Sequence, residues 1–165
     1  MQRLKTIAAA TLLVLAPLGT TWAASMEEQK QLSVRSIDVW STGNLDDIDE
    51  IITQDYRNHQ APDVDGGTQT IDKATWMTLA EEFHQAFPET TIDILVQVGE
   101  GNLVTTRWRF TATQSGTYLG LAPTGKTITW TGIQIDRFDD GKIAETWVNW
   151  DMYSMFEQLG LIEKR

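Results

Sequence analysis

The stretch DKATWMTLAEEFHQAFPETTIDILVQVGEGNLVTTRWRF, Asp72 to Phe110, decides the fold, because the spacing of its apolar residues changes part-way along. In its first half Trp76, Leu79, Ala80, Phe83 and Phe87 fall at steps of three and four, one face of an α-helix, with Asp72 as its cap and Pro88 as its stop. From Thr90 the period becomes two. Ile92, Ile94, Val96 and Val98 alternate with polar residues, Glu100-Gly101-Asn102 turns the chain, and Trp108 and Phe110 alternate with Arg107 and Arg109. A helix that gives way to hairpin-linked strands predicts an α+β domain.

Working outward, Ser25-Met26-Glu27-Glu28 has the spacing of a capping box, and Val34, Ile37 and Trp40 follow at steps of three, so a helix is expected from Met26 to Trp40. A short second helix is expected from Asp46 to Ile52, with its carboxylates at the start, then a short extended Tyr56-Arg57-Asn58-His59 and a polar loop from Ala61 to Gly67. Beyond Phe110, Ser115 to Lys126 reads as a loop. Thr127–Phe138 and Lys142–Trp150 read as two more strands joined at Asp140-Gly141, and Met152–Leu159 as a last helix stopped by Gly160. About three helices followed by strands predict a curved antiparallel sheet forming a cone, with the helices packed over one face. The hollow between the layers suits an apolar ligand held by a few polar groups.

Composition narrows the function. The 165 residues include no cysteine, which removes thiol nucleophiles, zinc-thiolate sites and disulfides, and 13 basic against 23 acidic side chains give a net charge of -10. Met1 to Ala23 has the layout of a signal peptide: Arg3 and Lys5, an apolar run from Thr6 to Leu18, and the small residue Ala23 at the cleavage point. The expected organisation is therefore a signal peptide at 1–23 and one domain at 24–165, periplasmic or secreted. Without Arg3 and Lys5 the balance is 11 basic to 23 acidic, which argues against nucleic acid and, after signal cleavage, against a membrane surface. A small hydrophobic molecule fits better as partner. The two histidines, His59 and His84, have no metal-ligand spacing, and neither a metal nor a cofactor is expected.

The run Thr42-Gly43-Asn44-Leu45-Asp46-Asp47-Ile48-Asp49, followed by Asp55-Tyr56-Arg57-Asn58-His59, resembles the front half of the SnoaL-like polyketide cyclases, or ester cyclases, of the nuclear-transport-factor-like cone superfamily. So does the back half: Ala122-Pro123-Thr124-Gly125-Lys126, Asp140-Gly141-Lys142-Ile143, Glu145-x-Trp147 and Gln158-Leu159-Gly160. The resemblance runs from about Val34 to Gly160. It implies an intramolecular aldol closure in which a carboxylate on the last strand is general acid and base, assisted by a histidine on the strand before. Aligned on Asp140-Gly141-Lys142, the histidine position falls on Gln134 and the carboxylate position on Val148. Neither residue carries a proton at neutral pH, so acid or base must come from elsewhere, or the domain only binds.

If Gln134 faces the cavity, strand parity puts Trp130, Gly132 and Asp136 on the same face, and Thr146, Val148 and Trp150 beside them on the next strand. Trp130 and Trp150 would then line an aromatic cavity, with Tyr56, Asn58 and Val148 as further ligand contacts. Three residues are candidates for acid or base. Asp136 sits among apolar neighbours; relatives place a histidine such as His59 at the cavity mouth; and Asp151 follows Trp150 closely enough to enter the cavity through a bulge, though it also stands where the last helix needs a cap. Limonene-type epoxide hydrolases share the cone and pair Tyr-x-Asn with Arg-x-Asp. Tyr56-x-Asn58 matches the first half, but Arg107-x-Arg109 stands where the second is needed. Many proteins with this cone pair through the open sheet face, and Arg107 and Arg109 beside Trp108 and Phe110 make a homodimer the expected state.

Overall fold

Ser25 opens the first helix as its sequence requires: its hydroxyl accepts from the Glu28 N–H, and the Glu28 carboxylate accepts from the Ser25 N–H at 2.7 Å. The computed structural model describes residues 24–62 and 68–163, so the signal peptide expected at 1–23 and residues 63–67 of the expected 61–67 loop lie outside the described residues. Helix α1 spans Met26–Thr42 and stops at Gly43, whose φ of 64° needs a residue without a Cβ. Helix α2 is a single turn, Ile48–Ile51, and Ile52, expected in the helix, instead starts a strand. Among the described residues no helix is long and apolar enough to cross a membrane.

Strand β1 covers Ile52–Pro62 and pairs antiparallel with β2, Thr68–Asp72, where the sequence suggests a short extended piece and a loop. The polar Thr-Gln-Thr of β2 carries no apolar alternation to reveal it. Helix α3, Lys73–Ala86, is capped by Asp72, which accepts from the Thr75 N–H at 2.9 Å, and it buries Trp76, Ala80 and Phe83. Four strands complete the sheet: β3 Glu89–Glu100, β4 Leu103–Thr113, β5 Thr127–Asp139 and β6 Lys142–Trp150, followed by α4, Met152–Leu159.

The strand order is β2-β1-β6-β5-β4-β3. Neighbours are antiparallel except β1 and β6, which run parallel because α2 delivers β1 into the sheet beside the last strand rather than by a hairpin. Two bulges set which residues face the helices. In β3, Ile94 pairs with Trp108 but Val96 pairs with Arg107, so Leu95 is the extra residue and the side chains beyond it change face. Val96 and Val98, expected beside Ile92 and Ile94, therefore point to the open side and are 53% and 58% exposed. In β6, Phe138 pairs with Ile143 and Arg137 with Glu145, which makes Ala144 the extra residue.

The helices cover one face of the curved sheet and divide its core in two. One apolar cluster gathers Val39, Tyr56, Trp76, Val104, Phe138 and Ile143; the other gathers Phe83, Phe87, Trp108, Phe110, Trp130 and Met155. The opposite sheet face has no helix over it among the described residues.

Candidate functional site

A polar belt runs between the two clusters. On β5 every even residue from Ile128 to Phe138 is buried, so Gln134 and Asp136 point under the helices together with Trp130 and Gly132. The register then sets the neighbours: Asp136 lies opposite Thr146, which lies beside Asn58 on β1, and Gln134 lies opposite Thr106, which lies opposite Gln97 on β3. Helix α1 closes the belt from above with Ser33 and Ser36, both buried, at i and i+3 on its inner side.

Asp136 is at its centre. It is completely buried; Thr146 Oγ1 donates to Oδ1 at 2.7 Å and Gln134 Nε2 donates to Oδ2 at 2.8 Å. Loss of water pushes its carboxyl above the ordinary carboxylate range, and the donors Thr146 and Gln134 pull back without winning. No cation among the described residues pairs with it. The Tyr56 phenol, raised by its own burial, belongs to the same network through Thr146 and accepts from Asn58 Nδ2 at 3.2 Å. An acid in this setting takes up and releases a proton nearer neutrality than a solvated aspartate does, which is the requirement for general acid and base work.

The aromatic half of the interior is packed. Trp130 is 4% exposed, with its ring centroid 5.4 Å from Phe110 and 6.1 Å from Phe83, and it belongs to the core rather than lining open space as expected. Trp108 lies across Gly132, where an added Cβ would come within 2.2 Å of the indole, and its Nε1 is buried without a hydrogen-bond partner among the described residues. Val148, directly opposite Gln134, and Trp150 are half-buried against the same cluster.

Two of the acid or base candidates stand away from the belt. His59 does not sit at a cavity mouth: alternation along β1 turns Tyr56 and Asn58 inward and His59 to the outer face, where it stacks on Trp147 with ring centroids 4.9 Å apart. Its Nε2 lies 2.8 Å from Glu145, which also accepts from Arg137, and these two partners hold the Glu145 carboxyl below its usual range. Asp151 is exposed and caps α4, accepting from the Ser154 N–H at 2.9 Å; β6 has its bulge at Ala144, too early to turn Asp151 inward. Ser33, Ser36, Thr106 and Gln97 were not singled out by the sequence reading. The parity of Thr106 with Trp108, and the i, i+3 spacing of the two serines, is the signal that finds them.

Among the described residues no three His, Asp or Glu side chains form a group able to hold a metal ion. The model of the SnoaL-like polyketide cyclase family matches residues 30–159. The chain belongs to the SnoaL-like polyketide cyclase family. Solved structures agree with the fold. AclR, a hydroxylase candidate from Streptomyces galilaeus, is 26% identical with a TM-score of 0.74, over 86% of each chain. IdmH, a polyketide cyclase candidate from Streptomyces antibioticus, is 26% identical with a TM-score of 0.69, over 80% of this chain and 98% of its own. A polyketide cyclase candidate from Bacillus cereus is 27% identical with a TM-score of 0.68, over 82% of each chain. Among curated proteins, none matches the chain. In this SnoaL-like chain Gln134 and Val148, the positions that the resemblance assigns to proton transfer, face each other across β5 and β6, and Gln134 donates to the Asp136 carboxylate two residues along β5.

Proposed function

We propose that this SnoaL-like protein acts by acid and base chemistry on a small hydrophobic carbonyl compound, with Asp136 as the proton-transferring group and Gln134 as the donor that orients it. The proposal rests on one observation: the belt contains a fully buried carboxylate held only by neutral donors, its carboxyl pushed above the ordinary range by burial. Asp136 is fully buried, so a substrate reaches it only when the belt opens. We place the mature protein outside the cytoplasm, on the strength of the 1–23 leader.

The test is deuterium incorporation from heavy water α to the carbonyl of slowly exchanging probes, acetophenone and methyl phenylacetate. The protein should accelerate exchange, and Asp136→Asn should remove about 10²-fold or more of that acceleration. Equal exchange by both proteins would remove Asp136 from the mechanism.

A second reading, a binding module without chemistry, is favoured by Gln134 and Val148, neither of which carries a proton, standing where the resemblance puts the proton-transferring pair. It predicts no exchange, together with a retained apolar compound in native mass spectra. We also infer a homodimer through the open sheet face. Val98, Thr105, Ile135, Trp147 and His59 form one row across it, and Val96, Arg107 and Ile133 the next, which leaves apolar side chains in water around an arginine that has no ion pair among the described residues. Sedimentation of wild type and Ile133→Lys tests it: a dimer that dissociates in the variant is expected, and a monomeric wild type overturns it.

A further inference from the structure

Where the β5–β6 hairpin meets the start of α1, a depression of about 290 Å³ is lined by Ala24, Gln29 and Asn102 on one side and Asp139, Asp140 and Gly141 on the other. Its acceptors lack a cation. Gln29 is 94% buried; its Nε2 donates to the Ala24 carbonyl at 3.0 Å, while its Oε1 is buried without a partner among the described residues. Asp139 and Asp140 are exposed carboxylates without an ion pair among the described residues. The neighbouring charges are committed elsewhere. Lys142 donates to the Asp49 carbonyl at 2.8 Å, and Glu28 accepts from the Ser25 N–H. Ala24 lies close to the hairpin, since a Cβ added at Gly141 would stand 3.9 Å from its methyl group.

The sequence supplies the missing cation. Cleavage after Ala23 converts the Ala24 amide nitrogen, one bond from a Cα at the wall of this depression, into an ammonium with three N–H donors. We propose that the depression is the docking site of the mature protein's own α-ammonium, paired with the Asp139 and Asp140 carboxylates and donating to Gln29 Oε1. The uncleaved chain offers only one uncharged N–H there, so processing completes the site and ties the start of α1 to the β5–β6 hairpin. The inference rests on the export reading.

The exported full-length chain is recovered, its N-terminus is read by mass spectrometry, and the α-amine is acylated competitively across pH, with the tryptic peptide 24–30 free in solution as reference. An N-terminus at Ala24 is expected, with half-protonation about one unit above the ordinary ~7.7–8.0 and hence about fivefold slower acylation at pH 8. Asp139→Asn with Asp140→Asn should restore the reference rate. Asparagine tolerates the positive φ of 45° at position 140, so the turn is kept. Glu81→Gln, an exposed acid on α3, should change nothing. A reference-like amine in the wild type, or one insensitive to the double variant, overturns the site. Any other N-terminus overturns the cleavage reading instead, and the same titration on a chain released at Ala24 by a site-specific protease then tests the site separately.

Discussion

Asp136→Asn should stabilise the protein at neutral pH while removing its proton transfer. The two side chains are nearly isosteric, so no cavity opens, and the change reduces to removing a charge from a completely buried site. Thr146 keeps its acceptor, and Gln134 satisfies the new amide by turning its own so that the carbonyl oxygen accepts. Hydrogen bonds to a charged group are worth about 1.5–3 kcal/mol each, against a burial cost of several kcal/mol for the charge, and the raised pKa says the cost is the larger. The variant is therefore expected to be more stable than wild type at pH 8, with a higher Tm. The sign follows from linkage. Between the unfolded and the higher folded pKa only the native state holds the proton, so wild-type stability falls as pH rises through that window and levels off above it. The advantage of the variant should therefore shrink as pH is lowered towards 4. Urea unfolding at pH 4, 6 and 8 measures it. A variant less stable than wild type by more than about 1 kcal/mol at pH 8 would show that the donors outweigh burial, and Asp136 would then be a structural carboxylate.

Three further outcomes follow from where side chains point. His59→Asn should leave exchange activity within about twofold and cost under ~1 kcal/mol, because His59 and Glu145 form a partly exposed outer-face pair; a loss like that of Asp136→Asn would return His59 to the mechanism. Asp151→Ala should cost about 1 kcal/mol through the lost α4 cap, read by thermal melting, with activity retained in the folded fraction. Gly132→Ala, which sets a methyl into the Trp108 indole, should cost about 1–3 kcal/mol and shift tryptophan fluorescence; an unchanged spectrum and midpoint would mean that the ring moves freely.

Much of this protein was legible in its sequence because the signals are local. The Ser25 capping box, the Trp76 to Phe87 stripe and the Asp140-Gly141 turn each act over a few residues, and each element they predict is present. Parity along β5 likewise placed Gln134 and Asp136 on one buried face with Trp130, because side chains on a strand alternate whatever its partners are. Tertiary structure decided the rest. The bulge at Leu95 sent Val96 and Val98 to the open face, and only pairing with β4 creates that bulge. The parallel entry of β1 beside β6 turned His59 away from the belt and brought Asn58 next to Thr146, across 88 residues of chain. Whether Trp130 lines a cavity or fills it depends on how far Phe83, Phe87 and Phe110 reach across the cone, a question of packed volume that no spacing in the sequence encodes.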